Sequence, residues 1–312
     1  MKKTILFVIV GVVCMVSVNA ATVAHWQFEE GPAGAPVTHG GAANGVYYEG
    51  TADSSGNGYG LSVFAEGWAG FVYRNQGAEA VASGNNFSVK NSGGLPAMFT
   101  DTADAINGIQ PAAFTVEASF KLENGGYRTI VGRDSQGSVT GGDLNLAALY
   151  FQAMPGNQLA IKFCDVSGVW HEAISAADAF RSFDYPTNND GIGVPWYSMA
   201  ATSDGTLLSL YLRNANATGV WTLIAQTDMS GSSANTALTK GTGDGGDWNA
   251  GDWSVGRGLY AGGHGDRAYG FIDEVRISDS ALGVGDFLMV IPEPATMILL
   301  GLGSLALLRK QK

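Results

Sequence analysis

Thr115-Val116-Glu117-Ala118-Ser119-Phe120-Lys121-Leu122 alternates polar and apolar residues at every step. Val116, Ala118, Phe120 and Leu122 share one face while Thr115, Glu117, Ser119 and Lys121 share the other, the period-two pattern of a half-buried strand. Working outward, similar runs recur at 22–28, 127–132, 146–153, 158–164, 169–174, 196–203, 206–213, 220–227, 253–256 and 270–277. Turn-forming clusters separate them, such as Asn124-Gly125-Gly126, Pro155-Gly156-Asn157 and Ser203-Asp204-Gly205. Short connections at 154–157 and 203–205 predict two hairpins, and hairpins make antiparallel neighbours. The best helical candidate is a short turn around 280–288, so the helices of a βαβ design are missing. The expected fold is therefore all-β, an antiparallel two-sheet sandwich. With no repeat of fixed period, propellers and solenoids are excluded.

Both ends of the 312-residue chain read as addresses. Lys2 and Lys3 precede an apolar run at 4–18 and the small-residue exit Val18-Asn19-Ala20, which predicts a secretory signal peptide over 1–20. The run is shorter than the ~20 residues a spanning helix needs, against an uncleaved anchor. Residues 295–308 form a second apolar stretch, between Pro292-Glu293-Pro294 and Arg309-Lys310-Gln311-Lys312. Basic residues stay on the cytoplasmic side, which leaves the body facing outward. At ~1.5 Å per residue the stretch reaches about 21 Å of a ~30 Å hydrocarbon core, so this short transmembrane helix suits a removable tail better than a permanent anchor. Between the ends, 21–291 carries 12 basic and 27 acidic residues, a net charge of −15. Such a body excludes a basic nucleic-acid-binding domain and points to cations or neutral partners. Cys164 is the single cysteine left after the leader and sits in an apolar strand, so it reads as a buried, inert thiol.

Two resemblances follow from these residues. The order of Pro292, Glu293 and Pro294, an apolar helix, then Arg309 and Lys310 closely resembles the PEP-CTERM sorting signal of Gram-negative bacteria. That resemblance implies an exosortase as processing partner and an address in the cell envelope or extracellular matrix of an exopolysaccharide producer. In the body, four segments in order look like signatures of the laminin G-like, concanavalin A-like lectin/glucanase superfamily. They are Val23-Ala24-His25-Trp26-Gln27-Phe28-Glu29-Glu30-Gly31, Asp53-Ser54-Ser55-Gly56-Asn57-Gly58, Phe114-Thr115-Val116-Glu117-Ala118-Ser119-Phe120 and Gly270-Phe271-Ile272-Asp273-Glu274-Val275-Arg276-Ile277-Ser278. The resemblance implies a jelly-roll sandwich, frequent calcium binding, and recognition of carbohydrate or protein. Two stretches depart from that pattern: the Gly- and Ala-rich 61–113 and the polar insertion 176–195, which carries Asn188-Asn189-Asp190-Gly191.

Strict alternation in the last strand places Asp273 on one face with Phe271, Val275 and Ile277, where an ionised carboxylate needs a cation or several hydrogen bonds. The turn at 53–57 offers oxygen donors of the kind calcium prefers, and the resemblance implies that the two segments meet. Asp53, Asn57 and Asp273 are thus candidate ligands of a structural Ca²⁺. The competing reading is an Asx-type turn closed by Asp53 itself, with Asp273 accepting from its amides. Asp247, Trp248 and Asn249 combine carboxylate, indole and amide on a Gly-rich loop and are the candidate sugar-binding residues, while Trp253 begins a strand and reads as core. No catalytic residues are expected. A retaining glucanase sandwich carries its carboxylates on one strand as Glu-x-Asp-x-Glu, and no such strand is present. His25, His39, His171 and His264 lack metal-ligand spacing, and no Gly-x-Ser-x-Gly elbow occurs. The function expected is a secreted, non-enzymatic module binding envelope polysaccharide. The alternatives are a structural or protein-binding surface protein and, less favoured, a glycoside hydrolase.

Overall fold

The computed structural model describes residues 22–288 except 38–47, 65–69, 79–86, 92–96, 102, 136–146, 185–186, 217, 243–249 and 261–262. Among them, strands form two eight-stranded antiparallel sheets and a two-stranded ribbon. The first sheet holds β4 (Phe71–Arg74), β5 (Ser88–Asn91), β7 (Phe114–Leu122), β12 (Tyr197–Ser203), β13 (Leu207–Asn214), β14 (Thr222–Asp228) and β18 (Gly270–Ser278) in the order β14-β13-β12-β7-β18-β5-β4. Here β1 (Thr22–Trp26) also pairs with β18, beyond the end of β5. The second sheet holds β2 (Tyr48–Thr51), β3 (Leu61–Phe64), β6 (Ala97–Thr100), β8 (Arg128–Arg133), β9 (Leu149–Met154), β10 (Gln158–Cys164), β11 (Trp170–Ile174) and β15 (Trp253–Val255) in the order β11-β10-β9-β8-β15-β6-β3-β2. The ribbon pairs β16 (Gly258–Tyr260) with β17 (Gly263–Gly265).

Both expected hairpins form: β9 pairs with β10 from Gln158↔Met154, and β12 with β13 from Ser203↔Leu208. Inward residues of the two sheets meet in one core, among them Val116, Phe120, Met199, Leu210 and Ile272 from the first and Val131, Phe151, Ile161 and Val255 from the second. Trp26 and Trp253 are fully or almost fully buried there, and Trp26 Nε1 donates to Tyr59 O at 2.7 Å, so the indole enters the core without leaving a donor unmet. Cys164 is buried with its thiol donating to Asp165 O at 3.6 Å, and burial pushes that thiol up to about 11.

In three places the structure departs from the sequence-based expectation. Every residue of β7 is buried, including Thr115, Glu117, Ser119 and Lys121. A half-buried strand was expected, but the outer face of the first sheet is covered. Phe183, Val194 and Trp196, in and just after the polar insertion, pack with Phe271 on that face. The chain after β18 crosses it as well: Phe287 sets its ring against Tyr211 and Trp221, Arg276 donates to Asp286 O, and Leu288 N donates to Glu117.

The second departure is in β18. Asp273 pairs with Ser119 but Arg276 with Glu117, so three steps of β18 span two of β7, and Glu274 takes φ 49°. This β-bulge reverses the parity of the strand. Ile272, Val275 and Ile277 enter the core while Phe271 belongs to the outer cluster, so Asp273 does not share a face with Val275 and Ile277. Third, 61–113 is not one long connection: it supplies β3 and β6 to the second sheet and β4 and β5 to the first. Among the described residues no helix is long and apolar enough to cross a membrane, and the expected leader and apolar tail lie outside them.

Candidate functional site

Asp53 forms an isolated bridge with Trp26, next to the end of β1. One carboxylate oxygen accepts His25 N and Ser55 N, both at 2.9 Å, and the other accepts Ser55 Oγ at 2.7 Å and Tyr59 N at 3.1 Å. Burial alone would raise this carboxyl, but the hydrogen bonds outweigh it and hold Asp53 below its ordinary value. Asn57 turns its amide nitrogen toward Thr22 O and Val23 O at 3.1 and 2.9 Å, tying the turn to β1. Asp273 lies buried in β18 and accepts the amide of Ala78 at 2.9 Å, not an amide of the 53–57 turn.

These residues do not fit calcium. A carboxylate offers about four acceptor positions, and four chain donors use those of Asp53. Asn57 presents its amide donor to β1, and Asp273 accepts from Ala78. Among the described residues no group of three or more His, Cys, Asp or Glu side chains is placed to hold a metal. The Asx-type reading is the one realised at Asp53.

Asp247, Trp248 and Asn249 fall outside the described residues, as do Pro292, Glu293, Pro294, Arg309 and Lys310. The C-terminal base of the sugar-loop candidate is firmly seated. Trp253 is buried beneath the Arg133 guanidinium, which sits 5.2 Å from its ring, and Asp252 accepts from Asn107 Nδ2 at 2.9 Å. Trp170 stacks on Tyr150 at 6.1 Å, and Tyr73 is buried with its hydroxyl against Gly50 O and Glu30, so both serve packing.

The structure adds a site that the strand pattern did not single out. Where β12, β13 and β14 end, a cleft of about 450 Å³ opens against the chain at Ala179. Its polar rim is Arg213, Asn214, Asn216, Thr218 and Thr222, and Leu212 and Ile224 supply apolar wall. Asn216 organises the rim. Its Oδ1 accepts both Thr218 N and Thr218 Oγ1 at 3.1 Å, while its carbonyl accepts Arg213 Nη2 at 3.0 Å. Burial lowers the Arg213 guanidinium from its ordinary range. Among the described residues no carboxylate lines this cleft, in a body that is otherwise strongly acidic. The available signal was Asn214-Ala215-Asn216-Ala217-Thr218-Gly219 after a strand, a run of amides and hydroxyls at a turn. A second cleft of about 520 Å³ lies between Glu30, Pro32, Pro36, Thr51 and Tyr73.

Two clusters resemble catalytic groupings and have structural geometry. Glu117 is ion-paired with Arg276 at 2.5 Å beneath the C-terminal segment, and Glu274 meets His25 Nε2 at 2.5 Å, so neither carboxylate faces a cleft described here. Asp165 accepts His171 Nε2 at 2.8 Å and Ser233 Oγ on one oxygen and the amides of Ser167 and Val169 on the other. Both side chains bond the carboxylate, whereas activation of a serine needs the imidazole between hydroxyl and carboxylate.

Several solved structures have a similar course of chain. Domain 4 of an extracellular GH43 arabinanase from Geobacillus stearothermophilus, in complex with arabinotriose, is 16% identical at a TM-score of 0.49, covering 85% of this chain and 96% of that one. The CBM40 of Ruminococcus gnavus IT-sialidase bound to α2,3-sialyllactose is 12% identical at 0.40, covering 58% and 82%. The binding domain of botulinum neurotoxin serotype D is 13% identical at 0.45, covering 91% and 53%. No curated protein sequence matches the chain. Residues 290–312 match the PEP-CTERM protein-sorting motif, which marks the chain for exosortase processing, export and sorting to the surface of a Gram-negative cell.

Proposed function

We propose that this chain is a non-enzymatic, surface-sorted sandwich that binds carbohydrate of the envelope or exopolysaccharide through the cleft at the ends of β12, β13 and β14. The observation that carries this reading is the cleft's rim: amides, hydroxyls and one guanidinium around an apolar wall, with no carboxylate among the described residues. Sugar hydroxyls need paired donors and acceptors, and the C–H faces of a ring need apolar contact. At about 450 Å³ the cleft has the size of a small-ligand site. The acidity of the body disfavours polyanions elsewhere on the surface and makes neutral glycans the first choice. Kinship with laminin G-like sandwiches is supported by assembly. The four signature segments fall on β1, the Asp53 turn, β7 and β18, and bridge or pair with one another.

The test is saturable binding of the purified full chain to neutral and acidic polysaccharides, in calcium and in chelator. Binding is expected in both conditions. Asn214→Ala is expected to weaken it about tenfold, the ~1.4 kcal/mol of a hydrogen bond lost at the rim. Trp248→Ala separates the Gly-rich loop from the cleft: loss of binding there, with Asn214→Ala silent, moves the site to the loop. No binding to any glycan favours the alternative, a protein-binding surface protein. That alternative has its own support in β14, the edge strand of the first sheet among the described residues, where Leu223 is exposed and Val220 stands just before the strand, 76% exposed. Release of reducing sugar would instead mark a hydrolase.

A further inference from the structure

The polar insertion 176–195 is pinned to the first sheet by two buried lysines. Lys90 of β5 is 1% exposed; its Nζ bonds the carbonyl of Asn189, stands 2.7 Å from Asn189 Oδ1, and is 3.5 Å from Asp190 Oδ1. Lys121 of β7 reaches Gln76 Oε1 at 2.8 Å and Gly191 O at 3.4 Å. Both ammonium positions lie against one ring: Phe271 has Lys90 Nζ at 5.2 Å and Lys121 Nζ at 5.1 Å from its centroid. Phe183 and Trp196 complete this apolar wall.

Two like charges in an apolar setting are costly. Burial holds Lys90 below the usual lysine range, and the charge of Arg74 adds to this against the opposing pull of Asp190 and Glu123. Lys121 is held down in the same way, by burial and by Lys90 itself. Within electrostatic reach of Lys90 is Glu123, a buried carboxyl that desolvation pushes up. The cluster thus works against the charged forms of the amine and of Glu123, and it holds a primary amide in contact with the amine. A lysine is made nucleophilic by this combination of desolvation and a neighbouring cation.

We propose that Lys90 and Asn189 are joined in the mature protein by an intramolecular isopeptide bond from Nζ to Cγ, which staples the insertion 176–195 to β5. The 2.7 Å contact with Oδ1 sets Nζ against the amide whose Cγ it attacks. The amine lone pair adds to Cγ as Glu123, the carboxyl within electrostatic reach, gives its proton to the carbonyl oxygen. Glu123 then takes a proton from Nζ and passes it to Nδ2. The Cγ–Nδ2 bond breaks, ammonia leaves, and the hydroxyl proton returns to Glu123 as the Cγ carbonyl re-forms. One C–N bond forms and one breaks, so no oxidant or other reactant is needed. Asp190 is a poorer electrophile: it is 56% exposed and farther away, at 3.5 Å.

Peptide mapping by mass spectrometry of the folded full chain tests this. The expected product is a branched peptide holding Lys90 and Asn189, lighter than its two parents by one ammonia, with no tryptic cleavage after Lys90. It is expected to vanish in Lys90→Arg and in Asn189→Ala and to persist in Lys121→Arg. In Glu123→Gln the two residues are expected to stay unlinked while circular dichroism still reports the sandwich, which separates proton transfer from folding. Recovery of free Lys90 from folded wild-type protein overturns the proposal. So does a link to Asp190 by loss of water, or a link confined to Lys121 and Gln76.

Discussion

Replacing Asp53 by alanine is expected to destabilise the sandwich by about 2–4 kcal/mol. The change removes one carboxylate and strands three backbone donors, His25 N, Ser55 N and Tyr59 N. Ser55 Oγ keeps an acceptor, since it also reaches Val23 O at 3.3 Å. A net hydrogen bond contributes about 0.5–1.5 kcal/mol, somewhat more to a charged acceptor, and these amides are only partly buried, so water recovers some of the loss. For a sandwich of this size each kcal/mol moves Tm by about 2–4 °C, which puts the shift at roughly 4–16 °C. Calorimetry on wild type and Asp53→Ala, each in millimolar calcium and in chelator, provides the assay. A structural ion at a hundredfold excess over its Kd would raise wild-type stability by about 2.7 kcal/mol. Equal wild-type Tm values in the two buffers, with Asp53→Ala lower by the same amount in both, are expected. A wild-type Tm several degrees higher in calcium, with the gain lost in Asp53→Ala, would refute the argument that chain donors saturate the carboxylate.

Gly270 begins β18 at φ 125°, and a Cβ there would lie 2.3 Å from the backbone oxygen of Lys121, so Gly270→Ala is expected to cost about 2–4 kcal/mol, read as a lower urea midpoint with unchanged m-value. Asp53 and Asp165 are both held below the ordinary 3.8, so the stability they add is complete above that value and is lost as pH falls through their lower folded values. The urea midpoint is therefore expected to fall on an acid limb below about pH 4, and Asp165→Asn to flatten that limb; an unchanged limb in the variant would contradict the assignment.

Strand existence was legible wherever a run was long enough for alternation to repeat. The run 158–164 coincides with β10, and the β7 pattern sorted core from outer face correctly. The four-residue strands β3 to β6 carry too few inward positions to stand out in a Gly- and Ala-rich stretch. The outer face of β7 read as solvent-facing because Thr115, Glu117, Ser119 and Lys121 are polar. Nothing local to the strand records that the insertion and the C-terminal segment, distant in sequence, cover it. The bulge at Glu274 was equally silent, since one extra residue changes parity without changing composition, and Asp273 was assigned to the wrong face as a result. At Asp53 the residue types announced oxygen donors, but whether those oxygens face a cation or their own turn depends on the approach of His25 and Tyr59. The cleft could not be read at all as a unit, because Ala179, Tyr197 and the chain at 212–224 come together only when β12, β13 and β14 pair.

The way the chain leaves β18 bears on how the molecule carries load. The sorting motif starts at residue 290, two positions beyond Leu288, whose amide is bonded to Glu117, and three beyond Phe287, which is wedged between Tyr211 and Trp221. Any tension drawn through the tail therefore arrives first at this latch and then along the length of β18. That strand is held by β7 on one side and by β5 and β1 on the other, so the pull would shear many hydrogen bonds together instead of opening them one at a time. A surface protein pulled from this end thus has its grip in the middle of its sheet.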